Sequence, residues 1–168
     1  MSNSTYIIDD KLLASNGSRF LNYILDLFAF LIIFFLFCIA LGIFIGLLGG
    51  TSLSSWISDM GELGWNLIVF TLFISYYILL EGFFGRSIGK FITGTILVDE
   101  NGQKPSFGTI FKRTLCRLIP FDAFSFLGSD GRGWHDTLSD TYVVNKKALA
   151  EEIKTFHEFS LIGNEETN

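Results

Sequence analysis

A chain of 168 residues with a mean hydropathy of +0.45, nineteen Phe and only two Pro is too apolar for a small water-soluble enzyme and has no second stretch of soluble-domain composition. It has the make-up of a small polytopic membrane protein. The net charge of −5 argues against nucleic acid as a partner, yet it averages over an asymmetry, because none of the twelve Lys and Arg residues lies between Phe20 and Gly85.

Residues Met1 to Asn16 are polar with short apolar interruptions and read as a cytoplasmic N-terminal arm, residues 1–16. Gly17 and Ser18 then give a flexible lead-in, with Ser18 placed to cap a helix. From Arg19 to Gly50 the chain reads RFLNYILDLFAFLIIFFLFCIALGIFIGLLGG, with no charge between Leu27 and Asp59. About 20 apolar residues cross a bilayer core, so a first span is predicted over about 20–48. The run is roughly twice the length of a signal-peptide core and no small-x-small cleavage site follows it near Gly50, which points to an uncleaved anchor.

Arg19, Asn22 and Asp26 stand at i, i+3 and i+7 and so stack on one helix face, with the carboxylate ~10 Å deeper than the guanidinium. A mid-span Asp costs ~2.5 to 3.5 kcal/mol, which the following Leu, Ile and Phe can offset at ~0.3 to 0.6 each. Two readings stand side by side. Asp26 lies shallow and snorkels with Arg19, or it faces a bundle interior as a proton- or cation-binding carboxylate. Gly42, Gly46 and Gly50 form a small-xxx-small ladder on the opposite side, suited to close approach of another helix or to bending.

The connector Thr51 to Glu62 holds only Asp59 and Glu62 as charges, whereas basic residues flank the spans, so the positive-inside rule puts the connector outside and both termini in the cytoplasm of a multi-pass cell (inner) membrane protein. Trp56 and Trp65 fall at the outer interface. Cys38 lies within the span and Cys116 on the cytoplasmic side, so no disulfide is expected. A second span is predicted over about 64–84. In an antiparallel hairpin Glu81 reaches the depth of Arg19 and Tyr77 that of Asp26, which predicts the pairs Arg19 with Glu81 and Asp26 with Tyr77. Tyr76 and Tyr77 also suit an interfacial aromatic belt.

Gly85, Gly89 and Lys90 superficially resemble a phosphate-binding loop, but Phe84 occupies the first required Gly position and Phe91 follows the Lys, so nucleotide binding by that motif is rejected. Thr95 to Val98 and Thr141 to Val144 are β-branched runs able to pair as a small cytoplasmic sheet. Ser106 is placed to cap a helix over about 107–119. On it Phe107, Ile110, Phe111 and Leu118 take one side and Lys112, Arg113, Cys116 and Arg117 the other. The pattern predicts a basic amphipathic helix on the inner leaflet, with Lys112, Arg113 and Arg117 turned to anionic headgroups. Residues 107–127 are also long enough for a third span, against which stand the basic residues, Pro120 and Asp122. Pro120 ends the helix, and the following segment, to Leu127, suits a short half-buried piece.

In Gly128 to Thr141 the glycines allow tight turns, Trp134 can anchor at the interface, and Asp136 can cap a turn or meet a buried cation. His135 has only His157 as a companion, far along the chain, so neither a metal set nor a cofactor is expected. Leu149, Ile153 and Phe156 give an amphipathic C-terminal tail over 148–168 with a disordered acidic end. Together these elements predict an all-α membrane protein, a two-span helical hairpin with cytoplasmic-side amphipathic helices and a small two-stranded β element, its membrane domain over 17–147.

Taken together, Arg19 at the start of the first span, Asp26 within it, the segment GRSIGKFITGTILVDENGQKPSFGTIFKRTLCRLIPFD and the later GSDGRGWHDTLSDTYVV resemble the RDD family of small membrane proteins, from about Ala14 to Lys147. The family is named for one arginine and two aspartates. The resemblance carries the Arg to Arg19, the first Asp to Asp26 and the second to Asp136, with Asp122 as its competitor. It implies transport, with cation/proton exchange in some members. Two functions are therefore set against each other. One is transport of an ion or small ligand by a homo-oligomer, with Arg19, Asn22, Asp26, Tyr77, Glu81 and Asp136 as the polar core. The other is a non-transporting accessory binding a membrane partner protein or anionic lipid headgroups in the bilayer. An enzyme is disfavoured because no nucleophile-base pair stands out.

Overall fold

The computed structural model describes residues 6–47, 51–120, 122–125 and 132–165. The third glycine of the ladder, Gly50, residues 126–131, which end the expected half-buried piece and begin the glycine-rich segment, and the last three residues of the acidic end lie outside them. Two long helices dominate: α1, Asn16–Leu47, and α3, Gly61–Phe84, both long and apolar enough to cross a membrane. At 32 and 24 residues they extend about 48 and 36 Å. The cap of α1 is Ser15, whose hydroxyl accepts from the Ser18 amide at 3.2 Å, one turn earlier than the sequence suggested. Between the long helices runs α2, Thr51–Asp59.

After α3 the chain turns at Gly85, whose φ of +66° only a residue without Cβ adopts cheaply. The turn leads into the short helix α4, Ile88–Thr93, and then strand β1, Thr95–Val98. Ser106 caps α5, Phe107–Cys116, by accepting from the Thr109 amide. Two short helices follow, α6, Asp122–Ser125, and α7, Trp134–Leu138. Strand β2, Tyr142–Asn145, pairs antiparallel with β1, and α8, Lys146–Glu165, follows directly. The predicted sheet is present, one residue further along in its second strand. Asp140, at φ +50°, makes the turn into it; Asp is among the few residues that tolerate that region.

The register sets Leu97 opposite Val143 and Ile96 opposite Val144, so the two faces of the sheet carry different packing. On one face Val98 and Val144 meet Leu12 of the N-terminal arm and Leu149 of α8. On the other, Leu97 and Val143 meet Ala14 and Ile110 of α5. The arm is thus no free extension, since the Ile8 amide donates to the Glu100 carbonyl and the Ala14 amide to the Val143 carbonyl. A third apolar cluster, Phe30 with Tyr76 and Tyr77, joins α1 to α3.

Candidate functional site: a buried charge cluster at one end of the hairpin

The polar face of α1 is satisfied mainly by segments that follow α3, with Ala14 before α1 and Tyr76 of α3 completing it. Arg19 donates through Nη1 to Asp136 at 2.5 Å and through Nε to the Ala14 carbonyl at 3.1 Å. Asn22 donates to the Thr95 hydroxyl at 3.0 Å and accepts from that of Thr93. Asp26, 3% exposed, accepts three hydrogen bonds: from the Tyr76 hydroxyl at 2.8 Å, the Ser87 hydroxyl at 2.6 Å and the Gly89 amide at 2.7 Å. The last two come from the first turn of α4, where a carboxylate is favoured by the exposed amides and the helix dipole. Gly89 permits this approach, because a Cβ there would run into the Asn22 carbonyl.

Glu81 and Asp136 anchor the ion pairs. Glu81, fully buried, holds Lys90 at 2.5 Å, Arg117 at 3.0 Å and Arg113 at 3.3 Å. Asp136 holds Arg19 and Arg113 and also accepts from the Gly133 amide at the start of α7. Arg113 therefore bridges the two carboxylates, and its Nη1 also donates to Thr141 at 2.6 Å. Arg117 lies over the Tyr77 ring at 4.1 Å, a cation-π contact that suits a desolvated guanidinium. Asp122 accepts from the His135 amide at 3.0 Å and faces its Nδ1 at 2.5 Å. Four cations, Arg19, Lys90, Arg113 and Arg117, thus share one region with four carboxylates, Glu81 and Asp136, which they pair with, and Asp26 and Asp122, which are held by neutral donors and by His135. Such a balance is what makes burial of so many charges tolerable.

Among these groups lies a cavity of about 80 Å³, reached by side chains of α1, α3, α4, α5 and α7. That is room for several waters or a small ion, at ~10 to 15 Å³ each. Burial pushes the Lys90 ammonium down to about 8, against the pull of Glu81. Burial also drives His135 down to about 4; Asp136 opposes this, while Arg113 and Arg117 add to it, so the ring is neutral at pH 7. Asp136, which burial alone would raise, is held well below the usual carboxylate range by Arg113 and Arg19. For Asp122, contact with His135 outweighs burial and lowers it.

The structure brings Arg19, Asn22, Asp26, Tyr77, Glu81 and Asp136 into one region but pairs them differently from the hairpin projection. Arg19 goes to Asp136 rather than Glu81, because α4 and α5 insert Lys90, Arg113 and Arg117 against Glu81. Tyr76, not Tyr77, reaches Asp26; Tyr77 carries Arg117 on its ring. The expected basic surface of α5 is corrected as well. Lys112 is exposed, but Arg113 is fully buried and the Arg117 side chain is only 13% exposed. The reason is that Glu81 and Asp136 need cations more strongly than headgroups could reward them.

Sequence reasoning missed Ser87, Lys90 and His135 as members of the cluster. The usable signal was a lysine and a serine in the glycine-rich turn directly after a long apolar helix. Both candidates for the second family aspartate are present, Asp136 on two arginines and Asp122 on His135.

Comparison with curated proteins and with solved structures gives no match. The model of the RDD family matches residues 13–151, a stretch that contains the whole cluster, and the chain belongs to the RDD family.

Proposed function

We propose that the protein is a multi-pass membrane protein with both termini in the cytoplasm, which handles an ion or small polar ligand in the cavity at the inner end of its hairpin. Two spans cannot enclose a pathway, so on this reading transport is the work of an oligomer. The carrying observation is a cavity with charged residues in its lining inside a chain whose long helices are apolar on the outside. Only 6% of the most apolar window of α1 and 22% of that of α3 are buried, whereas the core helix of a soluble protein would be mostly covered. Charges kept at the edge of such helices are costly, and where they persist they usually serve an ion or proton path.

Within the cavity the exchanging role is assigned away from Asp26. That carboxylate is engaged by three neutral donors and suits holding α4 against α1. Lys90, brought to about 8 by burial beside Glu81, is able to gain and lose a proton near neutrality, leaving Glu81 to Arg113, Arg117 and an incoming cation. Reconstituted vesicles with an internal pH dye test this. An imposed alkali-cation gradient is expected to drive proton flux that Lys90→Gln abolishes at equal protein level. Absence of flux in the native protein overturns it. The second reading, a non-transporting accessory, is favoured by the pairing itself, since each of the four carboxylates is already engaged. It expects no flux and a co-purifying membrane protein or anionic lipid.

A further inference from the structure

The short helices around the charge cluster are inside out by the standard of a water-exposed head. On α5 and just beyond it, Phe107, Phe111, Leu115 and Leu118 form one outward stripe, 37% to 54% exposed, while Arg113 and Thr114 on the other side are fully buried. The same division recurs on α4, where Phe91 and Ile92 point out and Gly89 and Lys90 point in. It recurs again on α7, where Trp134 and Leu138 point out and His135 and Asp136 point in. Apart from Lys112, which is exposed on α5, the three segments turn their charges inward and their apolar side chains outward, which is not what an aqueous surface selects, since apolar area left in water forgoes ~25 cal/mol per Å² of burial.

The outward surface is continuous with that of α3. Phe83 meets Phe107 edge to face at 5.8 Å, and Phe84 meets Phe91 at 6.1 Å, so the apolar exterior of the second long helix runs onto α5 and α4. Cations sit at its border: Arg86 over the Phe91 ring at 5.0 Å and Lys104 over the Phe107 ring at 5.7 Å. Lys104 also donates to the Phe83 carbonyl. Long basic side chains over apolar surface in this way mark the depth at which hydrocarbon gives way to headgroups.

We propose that α4, α5 and α7 are sunk into the inner leaflet with their apolar faces against lipid acyl chains, forming a half-membrane collar around the inner end of the hairpin. This rests on the reading of α1 and α3 as spans, and the collar differs from both a helix lying on headgroups and a third crossing. Its consequence for the site is that the charge cluster is walled by hydrocarbon at its sides.

Spin labels on single cysteines test the collar. With Cys38 and Cys116 replaced by Ala, labels are placed at Phe111 and Leu115 on the collar, at Leu31 on α1 and at Lys147 on the polar side, in phospholipid nanodiscs. All four positions face outward. Collision with oxygen is compared with collision with a water-soluble nickel chelate. The expected result is that Phe111 and Leu115 behave as Leu31 does, favouring oxygen several-fold, while Lys147 favours nickel. If Phe111 and Leu115 follow Lys147 while Leu31 stays in lipid, the collar is wrong and the spans stand. If Leu31 also follows Lys147, both readings fall; protection of the collar labels from both reagents means that protein covers this face and overturns the collar alone. A protein keeping Trp134 but carrying Trp56→Phe and Trp65→Phe gives a check with its cysteines untouched. Lipids brominated on the acyl chain are expected to quench its fluorescence, and absence of quenching counts against the collar.

Discussion

Arg113 is the residue on which the ion pairs turn, because among the described residues it alone touches both Glu81 and Asp136. Arg113→Met leaves two buried carboxylates short of a cation and is expected to destabilise the fold by ~3 to 5 kcal/mol. Arg113→Lys should recover little of it, since an ammonium cannot span both carboxylates. Lys112→Ala, one position away and exposed, should change stability by less than ~0.5 kcal/mol. Thermal unfolding in detergent, read by size-exclusion fluorescence, separates these outcomes; equal effects at the two positions would contradict the inward orientation of α5. Gly89→Ala has a different cause. Its methyl group meets the Asn22 carbonyl, and overpacking of that kind costs about 1 to 3 kcal/mol, expected as a drop in unfolding midpoint with the ion pairs intact.

At the scale of elements, α4 is the piece most dependent on a single side chain. Asp26 ties its first turn to α1 through Ser87 and Gly89. Asp26→Asn removes the charge that three donors converge on and reverses the Ser87 hydrogen bond, a loss of about 1 to 3 kcal/mol, and should raise amide hydrogen exchange over residues 88–93 more than over α3. Uniform exchange changes along the chain would contradict a local clamp.

Elements also show what could be read in advance. Length and unbroken apolarity gave both long helices to within a few residues, and the β-branched runs gave the strand pair, because both signals are local. The spacing of Arg19, Asn22 and Asp26 marked the inward face of α1 for the same reason. Periodicity divided α5 into an apolar and a basic face but could not say which was inside, since that depends on carboxylates tens of residues away. The partners of Arg19 and Glu81 were hidden for the same cause. Lys90 and His135 sit in turns without periodic pattern and acquire their surroundings only from packing.

For the molecule as a whole, the cluster sets how stability follows pH. His135 is held down to about 4 against 6.5 when free, so between these values the unfolded chain binds more protons and acid favours unfolding. The loss is up to about 3 kcal/mol by pH 4. Asp136 and Asp122, both lowered below 3.8, keep their contribution until the pH falls below that value and then add to the loss. Lys90 acts in the same direction in a more alkaline window: with about 8 in the fold and 10.5 when free, the unfolded chain binds more protons between these values, so stability rises with pH there too. The unfolding midpoint is therefore expected to fall between pH 7 and 4.5, and His135→Gln should flatten that slope. An unchanged slope in the variant would mean that the imidazole titrates alike in the folded and unfolded chain, against its lowering by burial.

The main chain at Ala14 links the two ends of the polypeptide to the guanidinium at the head of α1. Its amide hangs on Val143 while its carbonyl receives Arg19, and α8 rests on the opposite side of that same strand. A tug or a bulky fusion at either extremity is therefore transmitted, through a single residue and its neighbouring strand, to one of the two arginines that neutralise Asp136. Reporters appended there would perturb what they are meant to observe, whereas the helix α2, at the far side of the hairpin, offers an attachment point mechanically remote from it.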